Sequence, residues 1–307
     1  MASDRIGFIG LGNMGGAIAE RFADAGAPLT VCDLNPASVE PFRARGVDIS
    51  STPREVADKS DIVFTCVASV PASREIALGP DGAIHGKAVK VYVELSTLGS
   101  KAIGVLAAEI PASIGFIDAP VSGGPQGARA GTLATMVSGP QEHFDRAHEA
   151  LSIMARNVFY LGEKPGLAQT AKLINNHLSA AGRLATFEGL VMALKAGLDP
   201  RKLIEVVNVS SGMNFTTTKK LEPGIFSGAF KLNGQMTISV KDQHLLIDEA
   251  ADLGAPLWLP QHMLKLVEDA CEHGYREMDG MYLVQYMGEV AGIDVKAMVS
   301  PKEKKPE

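Results

Sequence analysis

The chain has 307 residues, of which 46% are hydrophobic and 21% are charged, and its formal net charge is -6. This length allows one large domain or two moderate ones, and the composition is that of a soluble globular protein. The negative charge argues against a nucleic-acid-binding protein, which usually carries a basic face. No run of about 20 apolar residues is present, so we expect no contact with a membrane interior.

The cysteines and histidines form no recognisable metal or disulfide pattern. Cys32, Cys66 and Cys271 are far apart and make no C-x-x-C pair, which favours free thiols in a reducing compartment. The seven histidines lack ligand spacing, so we predict no metal site. A strand is predicted to begin at Ile6, which leaves no room for a signal peptide. We therefore expect a cytoplasmic protein.

The first half of the chain alternates short apolar runs with helical segments. The runs that predict strands are, in chain order, Ile6–Ile9, Leu29–Cys32, Ile62–Val67, Val89–Glu94, Phe116–Asp118, Ala134–Val137 and Val158–Tyr160. Several are apolar throughout, which is typical of parallel strands covered on both faces. A helix over Met14–Ala25 joins the first two strands. This repeating unit predicts a doubly wound, mostly parallel sheet, which is the Rossmann fold.

The second half is predicted to be helical. After the turn-forming stretch 162–166, the segment Leu167–Ala196 has no proline and predicts one helix of about 45 Å. Further helices are predicted over Pro200–Val209, Thr237–Leu253, Pro260–Glu272 and Tyr282–Val290. We predict an α/β Rossmann domain at 1–162 and an all-α domain at 163–298, joined by the long interdomain helix. The lysine-containing end, 299–307, is predicted to be a flexible tail.

A glycine-rich loop follows the first predicted strand and opens the first helix. Gly10-Leu11-Gly12-Asn13-Met14-Gly15 has the G-x-G-x-x-G spacing of a dinucleotide-binding loop. In such a loop the first glycine makes the tight turn and the second lets the backbone approach a pyrophosphate. The third lets helix and strand pack closely. All six residues are therefore candidate cofactor contacts.

Asp33 ends the second predicted strand, 18 residues after Gly15. A carboxylate there can accept hydrogen bonds from ribose hydroxyls and would repel a 2′-phosphate. Leu34 and Asn35 supply no arginine for such a phosphate, so NAD is favoured over NADP. The alternative is that Asp33 only caps a turn before Pro36.

Two further groups of residues suggest substrate chemistry. Ser122, Gly123 and Gly124 follow a predicted strand and offer a hydroxyl and unhindered amides suited to a carboxylate, or else a simple glycine-rich turn. Lys172 lies in the apolar start of the long helix, where it could either reach solvent or be partly desolvated. A desolvated lysine has a lowered pKa and can accept a hydroxyl proton.

A polar stripe runs along that helix from Lys172. Lys172, Asn176, Ser179 and Arg183 follow 4-3-4 spacing, which places them on one face. The pair Lys241-Asp242 lies in another predicted helix, where a solvated ion pair is the simplest interpretation.

These motifs together resemble the 3-hydroxyisobutyrate dehydrogenase family, also called the β-hydroxyacid dehydrogenases. The resemblance runs from about Ile6 to Val295. It rests on residues 7–15, on residues 118–124 with Gly131, Thr132, Leu133 and Met136, on Gly166, Lys172 and Asn176, and on Lys241-Asp242.

The resemblance implies a role for each matching residue. Lys172 would be the catalytic lysine, Asn176 the asparagine that orients the substrate, and Ser122, Gly123 and Gly124 the loop that holds its carboxylate. Lys241 would approach both cofactor and substrate. Val67 and Thr97 would contact the cofactor. A homodimer or homotetramer is also implied.

The predicted activity is NAD-dependent oxidation of a small 3-hydroxy acid, with Lys172 as general acid and base. Three alternatives remain: reduction of tartronate semialdehyde or a similar aldehyde acid, imine reduction, and a non-catalytic dinucleotide-binding module. The intact pair of Lys172 and Asn176 favours catalysis.

Overall fold

The computed structural model describes residues 4–232 and 234–299. They form two compact units, Met1–Leu173 and Ile174–Glu307, so the division falls inside the long helix and not at residue 162. The reason is that the first turns of this helix are hydrogen-bonded to strand ends of the first unit. Of the predicted tail, Val299 ends a helix and is buried, while residues 300–307 lie outside the described part of the chain.

The first unit alternates strands and helices. In chain order they are β1 (Ile6–Ile9), α1 (Asn13–Asp24), β2 (Leu29–Cys32), α2 (Pro36–Arg43), β3 (Asp48–Ile49), α3 (Pro53–Lys59), β4 (Ile62–Thr65), α4 (Val70–Leu78), β5 (Val91–Glu94), α5 (Ser100–Glu109), β6 (Gly115–Asp118), β7 (Val121–Ser122), α6 (Gly124–Arg129), β8 (Leu133–Val137), α7 (Gln141–Met154), β9 (Ala155–Tyr160) and the start of α8 (Leu167–Lys195).

A six-stranded parallel sheet organises this unit. Its order is β3-β2-β1-β4-β5-β6, with β1 paired in parallel to both β2 and β4. The strand order reverses at β1, and in such sheets ligands bind outside the carboxyl ends of the strands at this switch point. The predicted doubly wound sheet is therefore present.

The last two predicted strands lie in a different sheet. β8 and β9 pair in parallel with each other, and β8 pairs antiparallel with β7. This small sheet, in the order β7-β8-β9, holds the segment that ends at Ser122. The apolar pattern of β8 and β9 predicted strands correctly, but it carried no information about which strands they join.

Buried side chains cover both faces of the main sheet, as its apolar strands require. On one face Phe8 packs with Phe22 of α1 and Phe64 of β4. On the other, Tyr92 stacks on Phe116 with ring centroids 6.2 Å apart. Alternate residues of each strand thus enter separate hydrophobic clusters.

Several helices begin at an N-cap residue whose side chain accepts a backbone hydrogen bond and which is followed by proline. The side chain of Asn35 accepts a hydrogen bond from the Ala37 amide, with Pro36 at the first helical position of α2. Thr52 and Asp199 cap helices in the same way, each followed directly by proline. A cap side chain satisfies an orphan amide, and proline has no amide to satisfy, so this pair fixes a helix start.

The second unit is helical. It contains the rest of α8, then α9 (Pro200–Val207), α10 (Met236–Asp252), α11 (Leu259–Ala270), α12 (Leu283–Val290) and α13 (Val295–Val299), with single π-helical turns at Thr216–Lys220, Glu222–Phe226 and Cys271–Tyr275. Its core contains Phe187 of α8, Phe230 and Val284, all fully buried. Within the ranges 4–232 and 234–299, no helix combines the length and apolar character that crossing a membrane requires.

Candidate active site

The glycine loop between β1 and α1 leaves no room for side chains at two positions. Gly10 has φ +91°, and a Cβ there would lie 2.4 Å from the Cys66 carbonyl oxygen. A Cβ at Gly15 would lie 1.9 Å from the Gly10 carbonyl oxygen. These two glycines therefore allow the loop itself to fold, which agrees with the turn and close-packing roles predicted from the motif.

Gly12 differs, because a Cβ built there would meet no atom of the protein within 4 Å. Its backbone angles, φ -63° and ψ -170°, also allow other residues. No protein atom therefore occupies the space next to the Gly12 Cα, which lies at the amino end of α1. Backbone amides and the helix dipole there favour an anion, so the loop fits a dinucleotide pyrophosphate. Leu11 is buried, Asn13 exposed and Met14 half-buried.

Asp33 contacts the glycine loop directly. Its Oδ2 accepts a hydrogen bond of 2.5 Å from the Leu11 amide, and its Oδ1 accepts one of 2.7 Å from the Asn35 amide. The cap of α2 is Asn35 and not Asp33. Asp33 thus holds a negative charge against the loop, on a half-buried side chain at the carboxyl end of β2.

Val67 and Thr97 follow β4 and β5 at the same edge of the sheet, and both are half-buried. Ser96 connects their loops, since its Oγ accepts a hydrogen bond of 2.8 Å from the Val67 amide. The Ser96 amide donates to the buried Glu94 carboxylate at 2.8 Å. Burial raises the pKa of Glu94. The structure therefore brings the predicted cofactor residues Gly10–Gly15, Asp33, Val67 and Thr97 to the carboxyl ends of adjacent strands.

The first turn of α8 is fixed to the loop after β5. Gln169 is fully buried, and its Oε1 accepts hydrogen bonds from the amides of Leu98 at 2.9 Å and Gly99 at 3.2 Å. Its Nε2 donates to the Ser96 carbonyl oxygen at 3.1 Å. Gln169 lies one helical turn before Lys172, so these bonds position the turn that carries the predicted catalytic lysine.

A second buried connection joins α8 to the end of β6. The Gly166 amide donates to Asp118 at 2.9 Å, and Ser138 donates to the same oxygen at 2.6 Å. Ser138 in turn accepts from the Ala168 amide at 2.9 Å. Burial raises the pKa of Asp118 to about 6, although these hydrogen bonds act in the opposite direction. The helix therefore starts at a position defined by two strand ends.

Lys172 is only 9% exposed. Ser122, the last residue of β7, is half-buried, and Gly123 and Gly124 beside it are exposed. Gly123 has φ +133° and Gly124 has φ +66°, and α6 starts at Gly124. The loop thus combines a hydroxyl with accessible amides at the start of a short helix.

In the second unit, Asn176, Asp242 and Lys241 form one polar group. The Asn176 amide nitrogen donates to Asp242 Oδ2 at 2.7 Å. The Lys241 ammonium lies 2.9 Å from Asp242 Oδ1, with Asp242 almost fully buried. A carboxylate can accept a hydrogen bond from the amide nitrogen of an asparagine but not from its oxygen. Asp242 therefore fixes the rotation of the Asn176 amide group.

Several residues of the site were not identified from the sequence. Gln169 extends the polar stripe by one more three-residue step before Lys172, so helical spacing was a usable signal. Ser96, Ser138 and the role of Asp242 had no such signal, since their partners are distant in the sequence. Among the described residues, His, Cys, Asp and Glu side chains form no cluster that could hold a metal ion.

Each of the two units matches a known family of protein domains. Residues 5–162 match the family model described as the NAD binding domain of 6-phosphogluconate dehydrogenase. Residues 166–287 match the model described as NAD-binding of NADP-dependent 3-hydroxyisobutyrate dehydrogenase. The mitochondrial 3-hydroxyisobutyrate dehydrogenase of Mus musculus is 34% identical, with 92% of this chain and 87% of the mouse protein covered.

Two further relatives agree. The 2-(hydroxymethyl)glutarate dehydrogenase of Eubacterium barkeri is 30% identical, with 95% of this chain and 98% of that protein covered. A solved structure of Mycobacterium tuberculosis 3-hydroxyisobutyrate dehydrogenase with L-serine superposes with a TM-score of 0.83 at 26% identity, covering 92% and 99% of the two chains.

The fold, the glycine loop and these matches define an NAD(P)-dependent oxidoreductase with a Rossmann unit followed by a helical unit. Within this class, the chain belongs to the 3-hydroxyisobutyrate dehydrogenase family. The predicted fold class and family resemblance are thereby confirmed, as is the prediction of an enzyme over a non-catalytic binding module.

Proposed function

We propose that this protein oxidises a small 3-hydroxy carboxylic acid, with NAD as the hydride acceptor and Lys172 as the group that takes the hydroxyl proton. The observation that carries the proposal is the burial of Lys172 at the start of α8, where the helix is fixed to two strand ends. Lysine is one of the residue types least often buried in proteins.

The relatives' names suggest the substrate class. 3-Hydroxyisobutyrate, 2-(hydroxymethyl)glutarate and L-serine appear in the names or titles of three similar proteins. All three compounds contain a primary alcohol two carbons from a carboxylate, and they differ in the substituent on the intervening carbon. We propose that the substrate of this protein contains the same unit.

In this mechanism the substrate carboxylate binds Ser122 and the backbone amides of Gly123 and Gly124. Lys172 accepts the hydroxyl proton as the general base. Asn176, whose amide nitrogen is held by Asp242, orients the substrate. When bound, the nicotinamide ring supplies the hydride acceptor. The same residues serve the reverse reaction on an aldehyde acid.

The choice of NAD over NADP is part of the proposal, and Asp33 supports it. Its carboxylate lies against the Leu11 amide, where a ribose is expected, and a negative charge there repels a 2′-phosphate. The residue after it, Leu34, is fully exposed and uncharged, so it offers no group to bind a phosphate.

The test is the formation of reduced nicotinamide by purified protein with NAD or NADP and a panel of hydroxy acids. The panel contains 3-hydroxyisobutyrate, 3-hydroxypropionate, glycerate, serine and threonate, with 4-hydroxybutyrate and lactate as controls of different hydroxyl position. We expect turnover of at least one 3-hydroxy acid, faster with NAD. Turnover of the controls alone, or of no compound in either direction, contradicts the proposal.

A further inference from the structure

A small polar pocket lies between α8 and α10 in the helical unit. Its volume is about 140 Å³. The residues that line it are Asn176, Ser179, Ala180, Arg183, Gly234, Gln235, Ile238, Ser239, Asp242 and Gln243. Asn176, Ser179 and Arg183 are three members of the polar stripe along α8. The pocket therefore begins at the residue proposed to orient the substrate and continues two helical turns to an arginine.

Arg183 is poorly satisfied in this pocket. Its one hydrogen bond within the described chain runs from Nη2 to the Ser239 hydroxyl at 3.1 Å. Its Nε is buried and has no hydrogen-bond partner among those residues. Burial lowers the pKa of Arg183, while the charge of Asp279 raises it. A guanidinium has five N–H donors, so most of its capacity remains for an added acceptor.

The carboxylates near the pocket are already engaged. Asp279 accepts hydrogen bonds from the amides of Leu232 and Gly234 on one oxygen and of Met281 on the other. Asp242 accepts from Asn176 and lies beside the Lys241 ammonium. No side-chain carboxylate of residues 4–232 or 234–299 forms an ion pair with Arg183. The pocket therefore contains a guanidinium with unused N–H donors, while the carboxylates of Asp242 and Asp279 are engaged by other groups.

We propose that this pocket binds a second carboxylate, carried by the substituent on the carbon between the hydroxymethyl group and the first carboxylate. The preferred substrates are then dicarboxylic 3-hydroxy acids. This inference rests on the function proposed above, because it places the substituent of the same substrate.

Helix geometry and volume support this assignment. Side chains on a helix lean toward its amino end, so Arg183 reaches back toward Ser179 and Asn176. A volume of 140 Å³ corresponds to four or five waters at about 30 Å³ each, which accommodates a carboxylate and one or two methylene groups. The lining is mixed: Ser239, Gln235 and Gln243 offer hydrogen-bonding groups to a carboxylate, and Ala180 and Ile238 offer apolar contacts to the methylene groups.

The test compares three substrates that share the hydroxymethyl carboxylate unit: 2-(hydroxymethyl)glutarate, 3-hydroxyisobutyrate and L-serine. Their substituents are a carboxyethyl anion, a neutral methyl group and a cationic ammonium group. We expect wild-type kcat/KM to decrease in that order, by about tenfold or more at the first step. Arg183→Met removes the charge at similar length. It is expected to lower kcat/KM for the dicarboxylate by about 10- to 100-fold, mainly through KM, since charged hydrogen bonds contribute this much.

Three comparisons separate a binding role of Arg183 from a structural one. Arg183→Met is expected to change kcat/KM for 3-hydroxyisobutyrate by less than about threefold, and Arg183→Lys to restore part of the dicarboxylate activity. Gln235→Glu, at an exposed wall position, adds a negative charge and is expected to produce the same selective loss. Arg201→Met, which removes an exposed arginine of the same unit, is the control and should leave all three values unchanged.

Equal losses on all three substrates, or a wild-type enzyme without preference for the dicarboxylate, would overturn this inference. Titration calorimetry with glutarate and butyrate gives a readout that needs no turnover. If no 3-hydroxy acid is oxidised, the proposed function fails. In that case glutarate binding that is lost in Arg183→Met and Gln235→Glu still supports an anion pocket, and absence of glutarate binding overturns it.

Discussion

Asp33 shows how one carboxylate can contribute both to loop structure and to cofactor choice. Both of its oxygens accept backbone amides, one of them from the glycine loop. We expect Asp33→Asn, which keeps a hydrogen-bond acceptor but removes the charge, to raise the NADP-to-NAD ratio of kcat/KM by about tenfold, or about 1.4 kcal/mol. Steady-state kinetics with both cofactors measure this ratio. An unchanged ratio would mean that the charge of Asp33 does not select NAD.

Asp118 makes stability depend on pH in a direction opposite to that of most carboxylates. Its pKa in the folded protein is raised to about 6 by burial, so between about pH 4 and 6 the folded state holds a proton that the unfolded state has released. Stability therefore falls as pH rises through this window, and above it the loss is constant, about 3 kcal/mol.

Asp118→Asn removes this titration while an oxygen can still accept from Gly166 and Ser138. The free energy of unfolding of the variant, relative to wild type, is expected to rise on the order of 2 kcal/mol between pH 4 and 7. Urea unfolding at several pH values measures the difference. Curves that stay parallel across this range would show that Asp118 is ionised at all these pH values.

At the level of elements, two glycines of the glycine loop have different roles: Gly15 is needed for folding and Gly12 for cofactor binding. Gly15→Ala places a Cβ 1.9 Å from the Gly10 carbonyl oxygen and is expected to lower stability by about 1–3 kcal/mol. Gly12→Ala meets no protein atom, so its melting temperature should stay near that of wild type. Its NAD affinity should fall at least about tenfold, because the Cβ lies where the pyrophosphate approaches. Thermal unfolding and calorimetric titration test the pair, and Gly12→Ala with full affinity would contradict this assignment.

The long regular elements could be predicted from the sequence, and the short ones could not. β1 and β2 match their predicted bounds, and the predicted helix over Leu167–Ala196 differs from α8 by one residue. The two-residue strands Asp48–Ile49 and Val121–Ser122 were missed because no periodicity develops over two residues. Strand pairing, such as the separate sheet of β7, β8 and β9, depends on contacts that a local pattern does not contain.

The same limit applies to the site. Lys172 and Asn176 could be found because a helix puts residues four apart on one face. The contact of Asn176 with Asp242 joins residues 66 positions apart, and Gln169 with Leu98 joins residues 71 apart. Such pairs need the fold, so the groups that orient the predicted catalytic residues became visible only in the structure.

At the scale of the whole molecule, we propose a homodimer or homotetramer formed through the helical unit. Met192 is 76% exposed, Val209 87% and Trp258 77%, and an apolar cavity of about 510 Å³ lies beside α8 and α9. Exposed apolar groups of this kind favour a protein interface. Sedimentation equilibrium should give two or four times the 32.3 kDa chain mass.

A double variant tests where that interface lies. Met192→Glu with Val209→Glu is expected to lower the mass toward one chain, because two charges would have to be buried. Leu34→Glu, at a fully exposed apolar residue of the first unit, is the control and should not change it. A monomeric wild type, or a double variant with unchanged mass, would contradict the proposed interface.

The measurement that tests the central claim most directly is turnover by Lys172→Ala with the best 3-hydroxy acid of the panel, together with its NAD affinity. The account predicts a loss of about 10² to 10⁴ in kcat with NAD binding within about threefold of wild type, because only proton transfer is removed. Partial recovery of turnover with added small primary amines would agree with this role. Near-normal turnover by Lys172→Ala would contradict it and show that another group accepts the proton.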